Sequence, residues 1–289
     1  MFPSNLMAAH VGQRGSKLSP RLWARVIESQ LTSDGGAPGV FLFDDFDSFP
    51  VITLTTAAGQ LQPPNGYHAF IEADATVGRI GPRADAPSAI ELLTSTDAAD
   101  GADHVTCLGT GGNAGVLGVI DDSAPKLLIC EFRIRLNSIT NADGSVFVGL
   151  GEEGLCATMT PLAAATPQAV SDDDCIGFFI GEADNDSLDF VYRKNGQAIQ
   201  TVLTYGTALV ADTWYNLGFV FDPTAPASQR IAVFVDNVEQ TTYVTATQIA
   251  AATFPDAEEL AMYAAVQGSA DNLPQKFDMD LWAFYQAGE

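Results

Sequence analysis

The feature that most constrains this chain is an eleven-residue stretch, 126–136 (KLLICEFRIRL), in which apolar and charged side chains alternate. Leu128, Cys130, Phe132, Ile134 and Leu136 share one face, and Glu131, Arg133 and Arg135 share the other. Period two is the signature of a half-buried strand, and a helix cannot use it. Related segments recur at 145–150, 174–181, 188–193, 198–204, 214–221, 230–236, 239–244 and 276–285, separated by Gly, Pro, Asn and Asp. Asp236-Asn237 suits a tight turn between two of them. In 276–285, Phe277, Met279, Leu281 and Ala283 alternate with Asp278 and Asp280. Many short strands with turn residues between them predict an antiparallel sandwich or barrel. The long alternating helices of a nucleotide-binding α/β fold are missing. Only 246–253 adds a plausible helical turn, and 160–169, rich in Ala, Thr and Pro, reads as a surface loop.

Charge then divides the chain. The 289 residues carry a formal net charge of −23, but residues 1–27 hold Arg14, Lys17, Arg21 and Arg25 and no acid. A +4 head therefore precedes a −27 body with 36 acidic and nine basic residues. A surface this acidic excludes a general nucleic-acid binder. No run approaches the ~20 apolar residues of a membrane span. The start lacks the order of a secretory signal, because its basic residues follow Met1 to Val11 and no apolar run follows them. Synthesis in a cytoplasm is the simplest expectation. Ser19-Pro20 forms a helix start, and Leu22, Trp23, Val26, Ile27 and Leu31 recur at helical spacing. About three turns are marginal alone, so this helix must pack on its own body or on a partner. The expected organisation is an arm, short helix and linker over 1–39 and one β domain over 40–289.

No catalytic constellation stands out. His10, His68 and His104 are isolated, and no nucleophile elbow or Walker-type loop is present. The Gly-rich segment 109–115 (GTGGNAG) joins two strands rather than cradling a phosphate, since no helix pattern follows it. Cys107, Cys130, Cys156 and Cys175 lack zinc-site spacing; Cys130 reads as a buried thiol, and no disulfide is indicated. Acids cluster at Asp44-Asp45-Phe46-Asp47, at 172–174 and at Glu182-Ala-Asp184-Asn-Asp186. Any of these could contribute oxygen ligands to Ca²⁺, but none has EF-hand spacing, and no cofactor is expected. Solvated acidic loops are the plainer reading.

The strand sequences resemble concanavalin A-like, or laminin G-like, jelly rolls. Phe43-Asp44-Asp45-Phe46 is similar to their opening strand. EFRIRL followed by VFVGL, then 174–180 (DCIGFFI), 213–221 (TWYNLGFVF) with 231–237 (IAVFVDN), and 277–285 (FDMDLWAFY) resemble the strands that follow. Among proteins with this sandwich, the likeness is nearest to virion proteins of tailed bacteriophages. That resemblance implies an all-β, antiparallel two-sheet sandwich and a non-enzymatic capsid decoration protein on the virion. Its partners would be the major capsid protein or neighbouring virion subunits, and it would form a dimer or trimer. Arg14, Lys17, Arg21, Leu22, Trp23, Arg25, Val26 and Ile27 are the expected partner-binding residues. A surface glycan is the alternative ligand, with Tyr67 or Trp282 as stacking aromatics. The Glu-x-Asp-x-(x)-Glu strand of glucanase relatives is absent, which argues against the third reading, a glycan hydrolase.

Overall fold

The computed structural model describes residues 18–24, 39–47, 49–54, 59–61, 67–71, 78–83, 86–94, 105–110, 117–140, 144–156, 161–163, 169–184, 186–268 and 275–288. Of the expected arm residues, Arg14, Lys17, Arg25, Val26 and Ile27 lie outside this set, as do His10 and His104. The described strands are β1 (Val40–Asp44), β2 (Ile52–Leu54), β3 (Gly59–Leu61), β4 (His68–Ile71) and β5 (Gly78–Arg83). Then come β6 (Ala86–Leu93), β7 (Val105–Gly109), β8 (Gly118–Val119), β9 (Leu128–Leu136) and β10 (Gly144–Glu152). They continue with β11 (Leu162–Ala163), β12 (Ala169–Val170), β13 (Cys175–Ile180), β14 (Asp189–Arg193) and β15 (Gln200–Thr204). The last are β16 (Trp214–Phe221), β17 (Ile231–Val235), β18 (Val238–Val244), β19 (Glu259–Gly268) and β20 (Lys276–Gln286). Two single-turn helices, α1 (Pro20–Trp23) and α2 (Ala246–Ile249), flank them.

Sheet I runs β18-β17-β16-β9-β20-β6-β5-β2, with β1 also on β20. Sheet II runs β15-β14-β13-β10-β19-β7-β4-β3, with β8 on β19. Every pairing is antiparallel, so the two-sheet antiparallel sandwich is what forms. The core lies between the sheets, and Phe132, Phe178, Phe190, Phe219, Phe277 and Trp282 are among its largest members. Strand β9 delivers the expected faces: Leu128, Cys130, Phe132, Ile134 and Leu136 enter the core, while its Glu and Arg residues face outward.

Strand β20 departs from strict alternation. Its register on β9 shifts between Met279 and Leu281, so Asp280 is an extra, bulged residue. Phe277 and Met279 point inward before the bulge, and Trp282 and Phe284 point inward after it. Leu281 and Ala283, expected beside Phe277 and Met279, lie on the outer face instead. Tyr67 and Trp282, the expected sugar-stacking aromatics, are both buried, with ring centroids 5.2 Å apart. They are core residues, because Asp44 accepts the Tyr67 hydroxyl and Phe46 packs on Trp282.

Two further expectations are corrected on sheet II. Cys107 and Cys156 form a disulfide, with Cα atoms 5.8 Å apart, while Cys130 and Cys175 are buried free thiols. The expected surface loop at 160–169 contributes a short hairpin, β11 with β12, whose Leu162 and Val170 are buried. With Leu155 and Cys156 they cover the outer face of sheet II over Phe147, Ala261, Tyr263 and Ala265. That apolar face is therefore closed by the chain itself.

Candidate functional site

The outer face of sheet I carries two chemically different halves. One half is apolar: Ile129, Val220, Ala232, Phe234, Leu281, Ala283 and Tyr285. Residues 18–24 lie on it as a plug, with Leu22 at 0% exposure and Trp23 at 8%. Pro20 occupies the first turn of α1, as its fixed φ favours, but the Ser19 hydroxyl makes no capping bond. A single turn has no stability of its own, so tertiary contacts hold it.

Those contacts centre on Glu131. The Ser19 N–H donates to its carboxylate at 2.9 Å, the Trp23 indole Nε1 at 2.5 Å and the Asn216 amide at 3.3 Å. Glu131 itself is fully buried, and burial pushes its carboxyl up to about 6, with these hydrogen bonds pulling the other way. At the far end, the Arg21 N–H donates to Asn237 Oδ1 at 2.8 Å. Asn237 and Asp236 both adopt positive φ in the expected tight turn. Gly218 supplies the slot: a Cβ there would sit 2.4 Å from Leu22 Cδ2. Burying Leu22 and Trp23 contributes about 2–3 kcal/mol each. Leu22 and Trp23 thus pack on their own sheet, and Arg21 is exposed.

The other half is charged. Gly81, Glu91, Asp278, Arg135 and Trp214 form one cross-strand row over β5, β6, β20, β9 and β16. Glu91 pairs with Arg79 at 2.7 Å and with Lys276 at 3.1 Å. Asp278 pairs with Arg83 at 2.5 Å and with Arg135 at 2.6 Å. Asp280, projected by the bulge, pairs with Arg133 at 2.6 Å. The guanidinium groups of Arg133 and Arg135 lie 4.8 and 5.1 Å from the centroid of the Trp214 ring. Layering decides what this patch shows to solvent. The three carboxylate side chains are 4–10% exposed, and the five cationic ones are 16–37% exposed. Burial pushes the Asp278 carboxyl up even with Arg83 pulling it down. Among the described residues, five of the nine basic residues beyond residue 27 sit here over three acids.

The acidic clusters do other work. Asp44 receives the Phe46 N–H at 2.6 Å and the Tyr67 hydroxyl. Asp172 and Asp174 accept the N–H groups of Gly196 and Asn195 at 2.9 and 3.0 Å, which pins the β14–β15 turn. Glu182 and Asp184 lie in a 3₁₀ turn, as the turn-like sequence suggests. A cavity of about 470 Å³ at one rim is lined by Glu152, Glu153, Ala257, Glu258 and Glu259. Burial, with Asp173 and Asp174 adding repulsion, pushes Glu152 up to about 7. Among the described residues, no three His, Cys, Asp or Glu side chains gather as a metal site. His68 lies on β4. Among the described residues, no helix is long and apolar enough to cross a membrane.

Sequence reasoning missed the charged half. Its members lie on five strands, and only β9 and β20 displayed their charges as a pattern.

No family model matches this sequence, and no curated protein does. Solved structures are similar in fold. A Lotus tetragonolobus seed lectin is 12% identical, with 83% of this chain and 100% of that one covered and a TM-score of 0.49. A Shewanella oneidensis protein of unknown function is 17% identical over 93% of this chain and 95% of that one, with a TM-score of 0.47. A carbohydrate esterase from the Shiga toxin-encoding bacteriophage phi24B is 12% identical over 83% and 90%, with a TM-score of 0.38.

Proposed function

We propose that this protein is a non-enzymatic binding module that holds an anionic carbohydrate on the charged half of sheet I. The observation that carries this reading is the layered patch, five partly exposed cations above three buried carboxylates. Glu91 and Asp278 are each shared by two cations, whose outer edges are partly exposed. Guanidinium edges bind planar carboxylates through paired hydrogen bonds. Trp214, partly exposed beside them, offers an apolar surface to a sugar ring. The charge balance selects among polyanions. A nucleic acid brings a charge every ~1.7 Å, which a −27 body repels, whereas a uronate polymer is far less dense. A glycan array with and without Ca²⁺, carrying uronate, sulfated and neutral glycans, tests the reading. Uronate binding that is independent of Ca²⁺ and lost in Arg133→Ala/Arg135→Ala supports it. Binding confined to neutral glycans, or none at all, overturns it.

A second reading is a phage capsid decoration protein, an oligomer on the virion surface held to the major capsid protein by its N-terminal arm. It is favoured by the plug, which anchors Leu18, the residue that follows the basic segment with Arg14 and Lys17, to sheet I. Deleting residues 1–17 leaves the plug in place and, on this reading, removes the protein from particles. Full occupancy by the truncated protein, seen by electron microscopy, would reject it.

A further inference from the structure

The plug and its slot form a complete recognition pair, and their contacts do not depend on the chain connecting them. The hydrogen bonds from Ser19 and Trp23 to Glu131, from Arg21 to Asn237, and from Asn216 to the Ser19 hydroxyl span at least 108 positions. Leu22 enters the notch that Gly218 leaves open, among Ile129, Val220 and Leu281. The plug ends at Ala24, and the next described residue is Gly39, just before β1. The Trp23 and Phe41 rings meet edge to face with centroids 6.1 Å apart. Fourteen residues, 25–38, connect Ala24 to Gly39. A connection of that length reaches about 46 Å when extended. That contour length is enough for a plug to reach a neighbouring molecule.

From this geometry we infer that the slot on sheet I also accepts residues 18–24 of a second copy, so that the protein assembles by exchanging plugs. The occupant is fixed by the structure itself, because the slot is already filled by this sequence. An exchanged plug makes the same hydrogen bonds and buries the same apolar area. The balance between closed and exchanged forms is then set by concentration alone. Linking two binding elements in one chain typically gives an effective concentration in the mM range. The closed monomer dominates in dilute solution, and exchange dominates where copies are crowded to mM local concentration or above. Exchange of an identical element between protomers is a low-cost route to assembly.

Two full-length variants test this. Gly218→Val places side-chain atoms where Leu22 sits, so that copy has a plug but no slot. Leu22→Ala/Trp23→Ala has a slot but no plug. Neither variant can satisfy itself, and only the mixture can place a plug in a slot. Light scattering is expected to show monomers for each variant alone and a 1:1 complex on mixing. Trp23 emission is expected to be solvent-like in Gly218→Val alone and to shift blue when the plug-less variant is added. Should Gly218→Val disturb β16, Glu131→Leu removes the acceptor of Ser19 and Trp23 and serves as the blocked copy. The wild type is expected to form dimers or longer chains near mM concentration that the plug-less variant does not form. No complex in the mixture, with Trp23 still exposed, would overturn the inference. So would a complex that forms equally well with the plug-less variant paired with itself.

Discussion

Glu131 couples the plug to pH, and the sign follows from its burial. In the docked state its carboxyl is pushed up to about 6 from an ordinary 4.5, chiefly by burial, to which the covering plug contributes. When the plug lifts away, Glu131 meets solvent and returns toward 4.5. The docked state therefore holds the proton more tightly, and docking takes up a proton as pH falls. The added stability is fully present below about 4.5 and is lost as pH rises through about 6. The difference between the two values corresponds to about 2 kcal/mol, or about thirtyfold in the docking equilibrium. Glu131 is fully buried, so solvent does not screen this contribution. Charged neighbours are few: Arg133 is next on the same face of β9, and it is already paired with Asp280. Hydrogen exchange at the Ser19 amide and the Trp23 indole, corrected for intrinsic rates, reads plug opening directly. Opening should increase about fifteenfold between pH 4.5 and 7.5 in the wild type, out of the full thirtyfold, and stay flat in Glu131→Gln. Protection that grows with pH, or an equal slope in Glu131→Gln, would refute the reasoning.

Other consequences are smaller or more local. Gly218→Ala forces Leu22 out of its notch and should lower stability by about 2–4 kcal/mol in chemical denaturation, with Trp23 emission shifting red. Replacing Cys107 and Cys156 with Ser opens a loop of sequence separation 49 and should cost about 4 kcal/mol by the chain-entropy estimate, read as a lower denaturation midpoint. Thr245 and Gln248 form a reciprocal capping box on α2, so Thr245→Ala should cost about 1 kcal/mol. Glu152, pushed up to about 7, should contribute stability that is lost as pH rises through 7, and Glu152→Gln should flatten that part of the pH profile.

What the sequence revealed and what it hid follow from periodicity. Strand β16 matches its alternating run residue for residue, and β9 lies within its own run, because each has one face in the core and one outside it. Strand β19 carried no such signal. Its residues from Leu260 to Gly268 are all buried, because one side faces the core and the other lies beneath the β11–β12 hairpin. A strand covered on both faces reads as a continuous apolar run. The bulge at Asp280 was invisible for a related reason: a one-residue insertion reverses the faces without changing composition. The Cys107–Cys156 disulfide joins residues whose spacing says nothing about their proximity. The plug was legible in part. Leu22 and Trp23 announced an apolar face, but helical spacing could not say whether that face would meet a partner or the chain's own sheet. The charged half emerges only once β5, β6, β9, β16 and β20 are placed side by side.

The claim that this face binds an anionic carbohydrate is tested most directly by calorimetric titration with a uronate oligosaccharide. The wild type should bind at low salt and lose affinity as ionic strength rises, because the cations are partly exposed. Arg133→Ala/Arg135→Ala should bind at least tenfold more weakly, compared at a temperature where both proteins are folded, since Asp280 and Asp278 lose ion-pair partners in the variant. Equal affinity in the wild type and the variant, or affinity indifferent to salt, would contradict the account.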